Sequence, residues 1–214
     1  CVAKLTLQSL MSFATHPLWL FNYLTHAKFE LANVSKKTDK GTNISKSVIE
    51  YINEQYDPAM NWKDAEYCAK KWNGPFALKG VMSVEDAKKA IDIGCTAIMI
   101  SNHGGRQLDG ALSSIRVLPE ILDTVGDKIE VHLDSGIRSG QDVLKALALG
   151  ATGTYIGRAY IYGLGALGQL GVETALSIIQ KELDTTMALC GEKNIHSLNR
   201  SNLLIPNEFF NKYS

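Results

Sequence analysis

The stretch IEVHLDSGIRSGQDVLKALALGATGTYIGR, residues 129–158, decides the fold. It starts with a short apolar run, passes through the turn DSGIR, continues as an amphipathic segment and returns to a second short run that ends in IGR. Ser139 can cap the amphipathic segment as a helix and Gly150 can end it. The pattern therefore predicts a strand, a glycine-rich turn, a helix and a second strand, which are the parts of a βα unit.

The same alternation of strand and helix patterns continues on both sides of this stretch through the C-terminal part of the chain. It predicts four consecutive βα units and hence a parallel sheet with right-handed crossovers. The predicted strand at residues 96–101 is apolar almost throughout, as a strand buried on both faces must be. The predicted strands are residues 75–79, 96–101, 129–134 and 152–156, and the helices that follow them are residues 84–93, 114–125, 140–149 and 168–189. Between the last strand and the last helix, where glycines interrupt the apolar stretch, a loop is expected.

The first 74 residues follow a different pattern, so we divide the chain into segments 1–74 and 75–214. Two short helices rich in large apolar side chains are expected at residues 5–13 and 17–24, an exposed polar loop at 33–47, and a helix at 61–72. The run HPLWLFNYL, residues 16–24, suits a lipid–water interface but is too short to span a membrane. A helix that packs on protein explains this run equally well.

Composition narrows the classes of partner. The 214 residues carry 22 Lys and Arg against 22 Asp and Glu, so no overall field favours nucleic acid or an acidic membrane. The four cysteines are widely spaced, which suggests neither a zinc site nor a disulfide framework. No signal peptide is recognisable, and the start at Cys1 rather than methionine suggests a fragment or a trimmed chain.

Polar residues follow the ends of the predicted strands, where both a (β/α)8 barrel and an open α/β sheet place their sites. Lys79 ends the first strand. A buried ammonium at this position is costly unless an anion meets it, although a lysine that reaches solvent at the rim is equally compatible with the pattern. Lys79 is therefore a candidate ligand for an anionic group.

The second strand leads into SNHGGRQLDG, residues 101–110. Strand alternation predicts that Ser101 and His103 lie on one side, and the two glycines that follow allow Arg106 to turn back over a ligand. Arginine binds a carboxylate with two parallel hydrogen bonds, and histidine accepts a proton near neutral pH. The combination suits a small hydroxy or keto acid.

The third and fourth strands lead into DSGIR, residues 134–138, and IGR, residues 156–158. Glycine-rich turns before helices present backbone N–H groups to an anion, and the last two strands of a barrel commonly form a phosphate site. Arg138 and Arg158 would add positive charge there, although ordinary turns with surface arginines are the plainer explanation for each turn alone. We interpret His132 and Cys95 as packed residues, and His16, His26 and His196 as exposed polar residues.

These residues resemble the FMN-dependent α-hydroxy-acid dehydrogenase and oxidase family, whose signature around the catalytic histidine is matched by SNHGGRQ without a break. The resemblance covers essentially the whole chain and looks most like the bacterial respiratory L-lactate dehydrogenase branch, which has GGRQLDG after the histidine and DSGIR at the third-strand turn. It implies a (β/α)8 TIM barrel, of which this chain holds the C-terminal half and the preceding loop and helix segment.

The resemblance also implies roles for single residues. His103 matches the base that accepts a proton as the α-carbon is oxidised, and Arg106 matches the ligand of the substrate carboxylate. Lys79 matches the lysine beside the flavin N1 and O2 atoms. The remaining FMN contacts implied are Ser101, a polar contact to the flavin, and the residues that hold the ribityl phosphate, namely Asp134, Ser135, Gly136, Ile137, Arg138, Gly157 and Arg158.

For the whole protein, the resemblance implies FMN-dependent oxidation of an L-2-hydroxy acid, with L-lactate favoured and mandelate or glycolate as alternatives. It further implies a quinone or cytochrome as electron acceptor, a homotetramer, and a peripheral position on the cytoplasmic face of the inner membrane. An inosine-monophosphate-dehydrogenase-like barrel is disfavoured because the loop at residues 101–110 contains no cysteine. The alternative that is not an enzyme is an inactive half-barrel that only associates with a partner.

Overall fold

The computed structural model describes residues 6–26, 53–206 and 209. These residues belong to two compact units that divide between Met60 and Asn61. The polar stretch at 33–47, predicted to be an exposed loop, lies outside the described residues.

The first unit contains two consecutive helices, α1 (Leu7–Thr15) and α2 (Pro17–Thr25), close to the predicted bounds. Proline at the first position of α2 suits a helix start, because that position needs no N–H donor. The rings of Phe13 and Trp19 stack with their centroids 5.2 Å apart, which joins the two helices. Exposed apolar side chains remain along both helices, at Leu7, Met11, Leu18, Phe21 and Leu24.

The second unit opens with α3 (Trp62–Trp72), close to the predicted bounds of 61–72. Asn61 and Asp64 form a reciprocal capping box at its start. The helix ends at Asn73, which adopts the left-handed conformation with φ 53°. This helix leads directly into the first strand of the sheet.

Four parallel strands form one sheet in the order of the sequence, β1 (Ala77–Val81), β2 (Ala97–Ile100), β3 (Glu130–Leu133) and β4 (Gly153–Thr154). Lys79, Met99 and His132 lie at one level of the register across the first three strands. The parallel order of four βα units confirms the predicted half of a (β/α)8 barrel. Because all strands run in one direction, their carboxyl ends meet at a single edge.

Three helices connect the strands, α4 (Val84–Asp92), α5 (Ser114–Val125) and α6 (Gly140–Leu149). Ser83 caps α4 by accepting from the backbone N–H of Asp86, and Ser139 forms a capping box with Asp142 at α6. The core lies between the sheet and these helices, and Cys95 is part of it as predicted. Fully buried core side chains include Ile98, Ile100, Leu118, Ile121, Val131 and Leu133.

The segment after β4 differs from the prediction. Residues 158–167 were expected to form a loop, but they form α7 (Arg158–Leu167), which Gly168 separates from α8 (Gln169–Leu189). Glycines lower intrinsic helix propensity, which is why the sequence pattern indicates a loop. In the fold, Gly163 and Gly171 bring the backbones of the two helices into contact, and a Cβ on either residue would overlap the carbonyl of the other.

Among the described residues, no helix combines the length and apolar character required to cross a membrane.

Candidate functional site

A cavity of about 260 Å³ opens at the carboxyl ends of the four strands. Ten of the eleven site residues predicted from the sequence line it, and the remaining one, Ser101, contacts the lining from beneath. The predicted residues that line the cavity are Lys79, His103, Arg106, Asp134, Ser135, Gly136, Ile137, Arg138, Gly157 and Arg158. Convergence follows from the parallel sheet, because most of these residues come just after a strand end. Lys79 is a correction to the sequence-based prediction, because it lies inside β1 rather than at its end, which is Val81.

Lys79, Ser101 and Asp134 form a charged cluster at the base of the cavity. The Lys79 ammonium donates to Ser101 Oγ at 2.9 Å and lies 2.9 Å from Asp134 Oδ2. The Ser101 hydroxyl, which is buried, donates in turn to Asp134 Oδ2. Of the two alternatives left open by the sequence, a lysine buried against an anion and a lysine that reaches solvent, the structure combines both: Lys79 pairs with Asp134, yet its side chain is 46% exposed.

The environment of Asp134 stabilises its carboxylate form. Burial by itself would raise the pKa of the Asp134 carboxyl, but the hydrogen bonds from Ser101 and Lys79 and the Lys79 charge outweigh it and lower the pKa. Asp134 is therefore an anion at neutral pH. Its charge holds the Lys79 ammonium at the edge of the cavity.

His103 reaches the cavity through a turn rather than by strand alternation, which corrects the sequence-based reasoning. β2 ends at Ile100, and residues His103–Gly105 form a short 3-10 turn in which His103 has φ 56° and Gly104 φ 70°. The N–H of His103 donates to Ser101 Oγ at 3.1 Å. A Cβ added to Gly80 would lie 3.2 Å from His103 Nε2, so the imidazole packs closely over that glycine.

Arg106 follows the turn and stays near His103. Its Nε donates to the His103 carbonyl at 3.0 Å, and the side chain is otherwise exposed at the cavity mouth. A guanidinium has four further N–H donors at its two terminal nitrogens, and these can form parallel bonds with a carboxylate. An imidazole and a guanidinium on one turn can therefore bind a small acid and accept its proton.

Arg138 and Arg158 also line the cavity. Arg158 is the first residue of α7, where free backbone N–H groups favour an anion, and its Nη2 also donates to the Gly104 carbonyl at 3.2 Å. Gly136 has a φ of 85°, a backbone conformation that residues with a side chain rarely adopt. Ile137 contributes through its main chain, because its side chain is buried in the core. These groups can hold a phosphate.

Tyr155 and Ile161 also line the cavity, although the sequence pattern did not indicate either of them. The position of Tyr155 directly after β4 could have identified it, whereas Ile161 lies in the helix that was predicted as a loop. The Tyr155 ring meets His132 edge-on at 5.7 Å between centroids, and His132 Nε2 lies 3.2 Å from Glu130 Oε2. His132 is thus the packed residue that the sequence indicated.

The parallel sheet and its connecting helices define the C-terminal half of a (β/α)8 barrel. Residues 2–205 match the family model described as FMN-dependent dehydrogenase, and the chain belongs to that family. Its curated relatives include the L-lactate dehydrogenases of Actinobacillus pleuropneumoniae serotype 5b (strain L20), 44% identical over 191 residues, and of Vibrio cholerae serotype O1 (strain M66-2), 42% identical over 190 residues. These alignments cover 89% and 88% of this chain and 50% of each relative.

Solved structures agree with the family. The chain resembles the monotopic membrane protein (S)-mandelate dehydrogenase with a TM-score of 0.86 and 34% identity, covering 94% of this chain and 52% of the other. It resembles a mandelate oxidase with (S)-4-hydroxymandelic acid with a TM-score of 0.67 and 41% identity, covering 74% of this chain and 44% of the other. The chain therefore spans about half the length of the relatives it matches.

FMN is the cofactor that the family match indicates, and the donor set of the cavity fits it. Arg138, Arg158 and the first N–H groups of α7 would supply positive potential for the phosphate of FMN. Lys79 would supply a cation for a flavin ring that gains negative charge as it gains electrons.

Proposed function

We propose that the intact protein carrying this chain oxidises an L-2-hydroxy acid, L-lactate in the first place, to the 2-keto acid with FMN. The observation that supports this most directly is the placement of His103 and Arg106 on one turn at the mouth of a cavity that also contains Lys79, Arg138 and Arg158. The names of the curated relatives support L-lactate as substrate.

In this proposal Arg106 binds the substrate carboxylate through its terminal N–H groups, while its Nε stays on the His103 carbonyl. That contact fixes the distance between the carboxylate and the imidazole. Oxidation of lactate to pyruvate removes two electrons and two protons. FMN, when bound, supplies the two-electron acceptor. His103 accepts one of the protons at its imidazole, whether the α-hydrogen leaves as hydride or as proton, and the other leaves with the two electrons to the acceptor or to solvent.

Lys79 and Asp134 support the flavin side of the site. The Lys79 ammonium, held by Asp134 and Ser101, stabilises negative charge that forms on the ring during oxidation. Arg138 and Arg158 bind the ribityl phosphate together with the main chain at Gly136 and Gly157. Ser101 acts from below the cavity, because its buried hydroxyl links Lys79, Asp134 and the N–H of His103.

The variant His103→Gln tests the role of the base. We expect turnover to fall by a factor on the order of 10²–10⁴ while FMN stays bound, because the substitution removes the proton acceptor and leaves the phosphate site intact. His196→Gln, at an exposed position outside the cavity, is the matched control and should retain wild-type turnover. Near-normal turnover of His103→Gln would refute the proposal.

Mandelate is the second candidate substrate, because this chain resembles a solved (S)-mandelate dehydrogenase with a TM-score of 0.86. Comparison of kcat/KM for L-lactate, glycolate and (S)-mandelate in the same preparation decides among the three. Absorbance at about 450 nm, which is typical of an oxidised flavin, reports whether the preparation contains FMN. A preparation that stays colourless after addition of FMN would favour the half-barrel that only associates with a partner.

We further propose that the protein associates peripherally with a membrane and passes electrons to a quinone or cytochrome. Residues 6–26 contain no Asp, Glu, Lys or Arg, and α2 exposes Leu18 to 79% and Phe21 to 64%. Such a surface gains free energy when it enters a lipid interface. The resemblance to a monotopic membrane protein supports the same proposal. The cytoplasmic face of the inner membrane and a homotetramer remain predictions from the family resemblance.

Sedimentation with neutral phosphatidylcholine vesicles tests the membrane proposal. We expect the double variant Leu18→Ser and Phe21→Ser to weaken vesicle binding by about tenfold or more, because two large apolar side chains no longer enter the lipid. Leu189→Ser, which changes an 85% exposed leucine at the end of α8, is the control and should bind like the wild type. Equal binding by all three proteins would contradict the proposed surface.

A further inference from the structure

Ser135 occupies a backbone conformation that suits glycine better than serine. Its φ of 79° lies in the left-handed region, where a side chain is strained. The residue directly follows Asp134 at the end of β3, at the edge of the cavity. A strained non-glycine residue at a functional site indicates that its side chain contributes something a glycine could not.

The Ser135 side chain contacts the turn that carries His103. Its Oγ accepts a hydrogen bond from the backbone N–H of Gly104 at 3.1 Å, and the same N–H is shared with Asn102 Oδ1 at 3.0 Å within the turn itself. The same oxygen lies 3.4 Å from Ser101 Oγ, and thus adjoins the hydroxyl that also receives the N–H of His103. Two successive N–H groups of the turn are therefore held by hydroxyl groups, one from β2 and one from β3.

The main chain of Ser135 is anchored as well. Its carbonyl accepts from the hydroxyl of Ser114, a residue only 2% exposed at the start of α5. On the other side of the turn, Arg158 donates to the carbonyl of Gly104 at 3.2 Å. The two peptide groups that flank Gly104 are thus held from the third and the fourth strand ends. Since glycine by itself leaves a backbone flexible, the conformation of the turn depends on these contacts.

We infer that Ser135 is a positioning residue, whose hydroxyl holds the His103–Gly105 turn so that the imidazole of His103 faces the cavity. This inference rests on the proposed role of His103 as base. It assigns to the Ser135 side chain a different task from the phosphate contact that the family resemblance implies. The hydroxyl acts through Gly104 and therefore affects turnover without direct contact with the substrate.

The variant Ser135→Gly tests this inference, because it removes the hydroxyl and at the same time relieves the strained backbone. We expect an unchanged or higher thermal midpoint, an FMN dissociation constant within about twofold of wild type, and a kcat lowered about three- to tenfold, the effect of one lost hydrogen bond. Amide hydrogen exchange at Gly104 should become faster. Ser135→Ala, which keeps the strain, should show the same kcat and exchange effects with a lower thermal midpoint.

Asn73→Gly is the matched control. Asn73 also has a positive φ, 53°, at the end of α3, so the substitution relieves strain away from the cavity. This variant should keep the wild-type kcat and the wild-type exchange rate at Gly104. A kcat loss of equal size in Asn73→Gly and Ser135→Gly would overturn the inference, since strain relief alone would then explain it.

Two further outcomes would overturn the inference. A weaker FMN affinity with unchanged kcat in Ser135→Gly would assign the hydroxyl to the phosphate. Unchanged exchange at Gly104 would show that the hydroxyl does not hold the turn. The exchange measurement needs no substrate, so it also decides the question if the wild-type protein proves inactive towards 2-hydroxy acids, an outcome that would refute the proposed function alone.

Discussion

The ammonium of Lys79 lies 2.9 Å from the carboxylate of Asp134, although β2 separates the two strands that carry them. Lys79 extends past the end of β2, where Ser101 bonds to both partners. The pair combines a cation that is half exposed with a carboxylate that is 19% exposed. Because the carboxylate is the more enclosed partner, the ion pair orients the lysine without withdrawing it from the cavity.

The ion pair predicts a pH dependence of stability. The pKa of Asp134 in the folded protein lies below its ordinary value, so the carboxylate form favours folding. This contribution is fully present above the unfolded-state pKa of about 3.9, and it is lost as the pH falls through the lowered pKa of the folded state. Asp134→Asn should therefore destabilise the protein by about 1 kcal/mol at neutral pH, with a smaller difference in acid.

Urea unfolding of wild type and Asp134→Asn at a series of pH values measures this difference in the free energy of unfolding. A difference that grows as the pH falls would contradict the sign of the argument. A constant difference at all pH values would show that the variant acts through shape rather than through charge.

The close approach of Gly80 to His103 predicts a selective loss of activity. Gly80→Ala places a Cβ about 3.2 Å from His103 Nε2 at a residue with φ 98°. The imidazole must shift by a few tenths of an ångström, and we expect kcat to fall by about tenfold, since the base loses its alignment. Steady-state kinetics together with thermal unfolding measures both effects.

Gly94→Ala is the control for Gly80→Ala, because Gly94 has a similar φ of 88° and no atom within 4 Å of an added Cβ. Both variants should lose about 1 kcal/mol of stability from the strained backbone. Only Gly80→Ala should lose activity. An equal loss of kcat in both variants would attribute the effect to stability rather than to His103.

The crossing of α7 and α8 predicts opposite effects of two neighbouring substitutions. Gly163→Ala would bring a methyl group onto the carbonyl of Gly171, and we expect a loss of about 2 kcal/mol or more from overpacking. Gly165→Ala lies in the same helix with no atom near the added Cβ, and higher helix propensity should stabilise the fold by about 0.5–1 kcal/mol. Chemical denaturation monitored by circular dichroism measures the free energy of unfolding of each variant. A change of the same sign and size in both variants would contradict the close contact between Gly163 and Gly171.

The charge of Arg138 predicts discrimination between FMN and riboflavin. Arg138→Gln should weaken FMN binding by about tenfold, with little change for riboflavin, because only FMN carries the phosphate. Fluorescence titration of the apoprotein with each flavin measures the two affinities. Lys145→Gln, at a lysine on α6 outside this cavity, should leave both affinities unchanged. If the affinities for FMN and riboflavin weakened equally, Arg138 would not be a ligand of the phosphate.

Much of the fold could be predicted from local patterns. The strands and helices between residues 75 and 156 followed from short apolar runs and recognisable caps such as Ser83 and Ser139, because these signals depend on neighbours in the chain. The helix at residues 158–167 could not be predicted in this way. Its glycines reduce local helix propensity, and their contribution depends on contact between two helices.

The sequence by itself determined which residues meet at the site. In a parallel sheet all carboxyl ends lie at one edge, so residues in or just after the ends of successive strands, such as Lys79, His103 and Asp134, converge wherever the strands form. Only the tertiary structure decided how they are oriented. The left-handed turn at His103 and the support of Gly104 by Ser135 depend on hydrogen bonds between segments far apart in the chain, whose geometry no local pattern encodes.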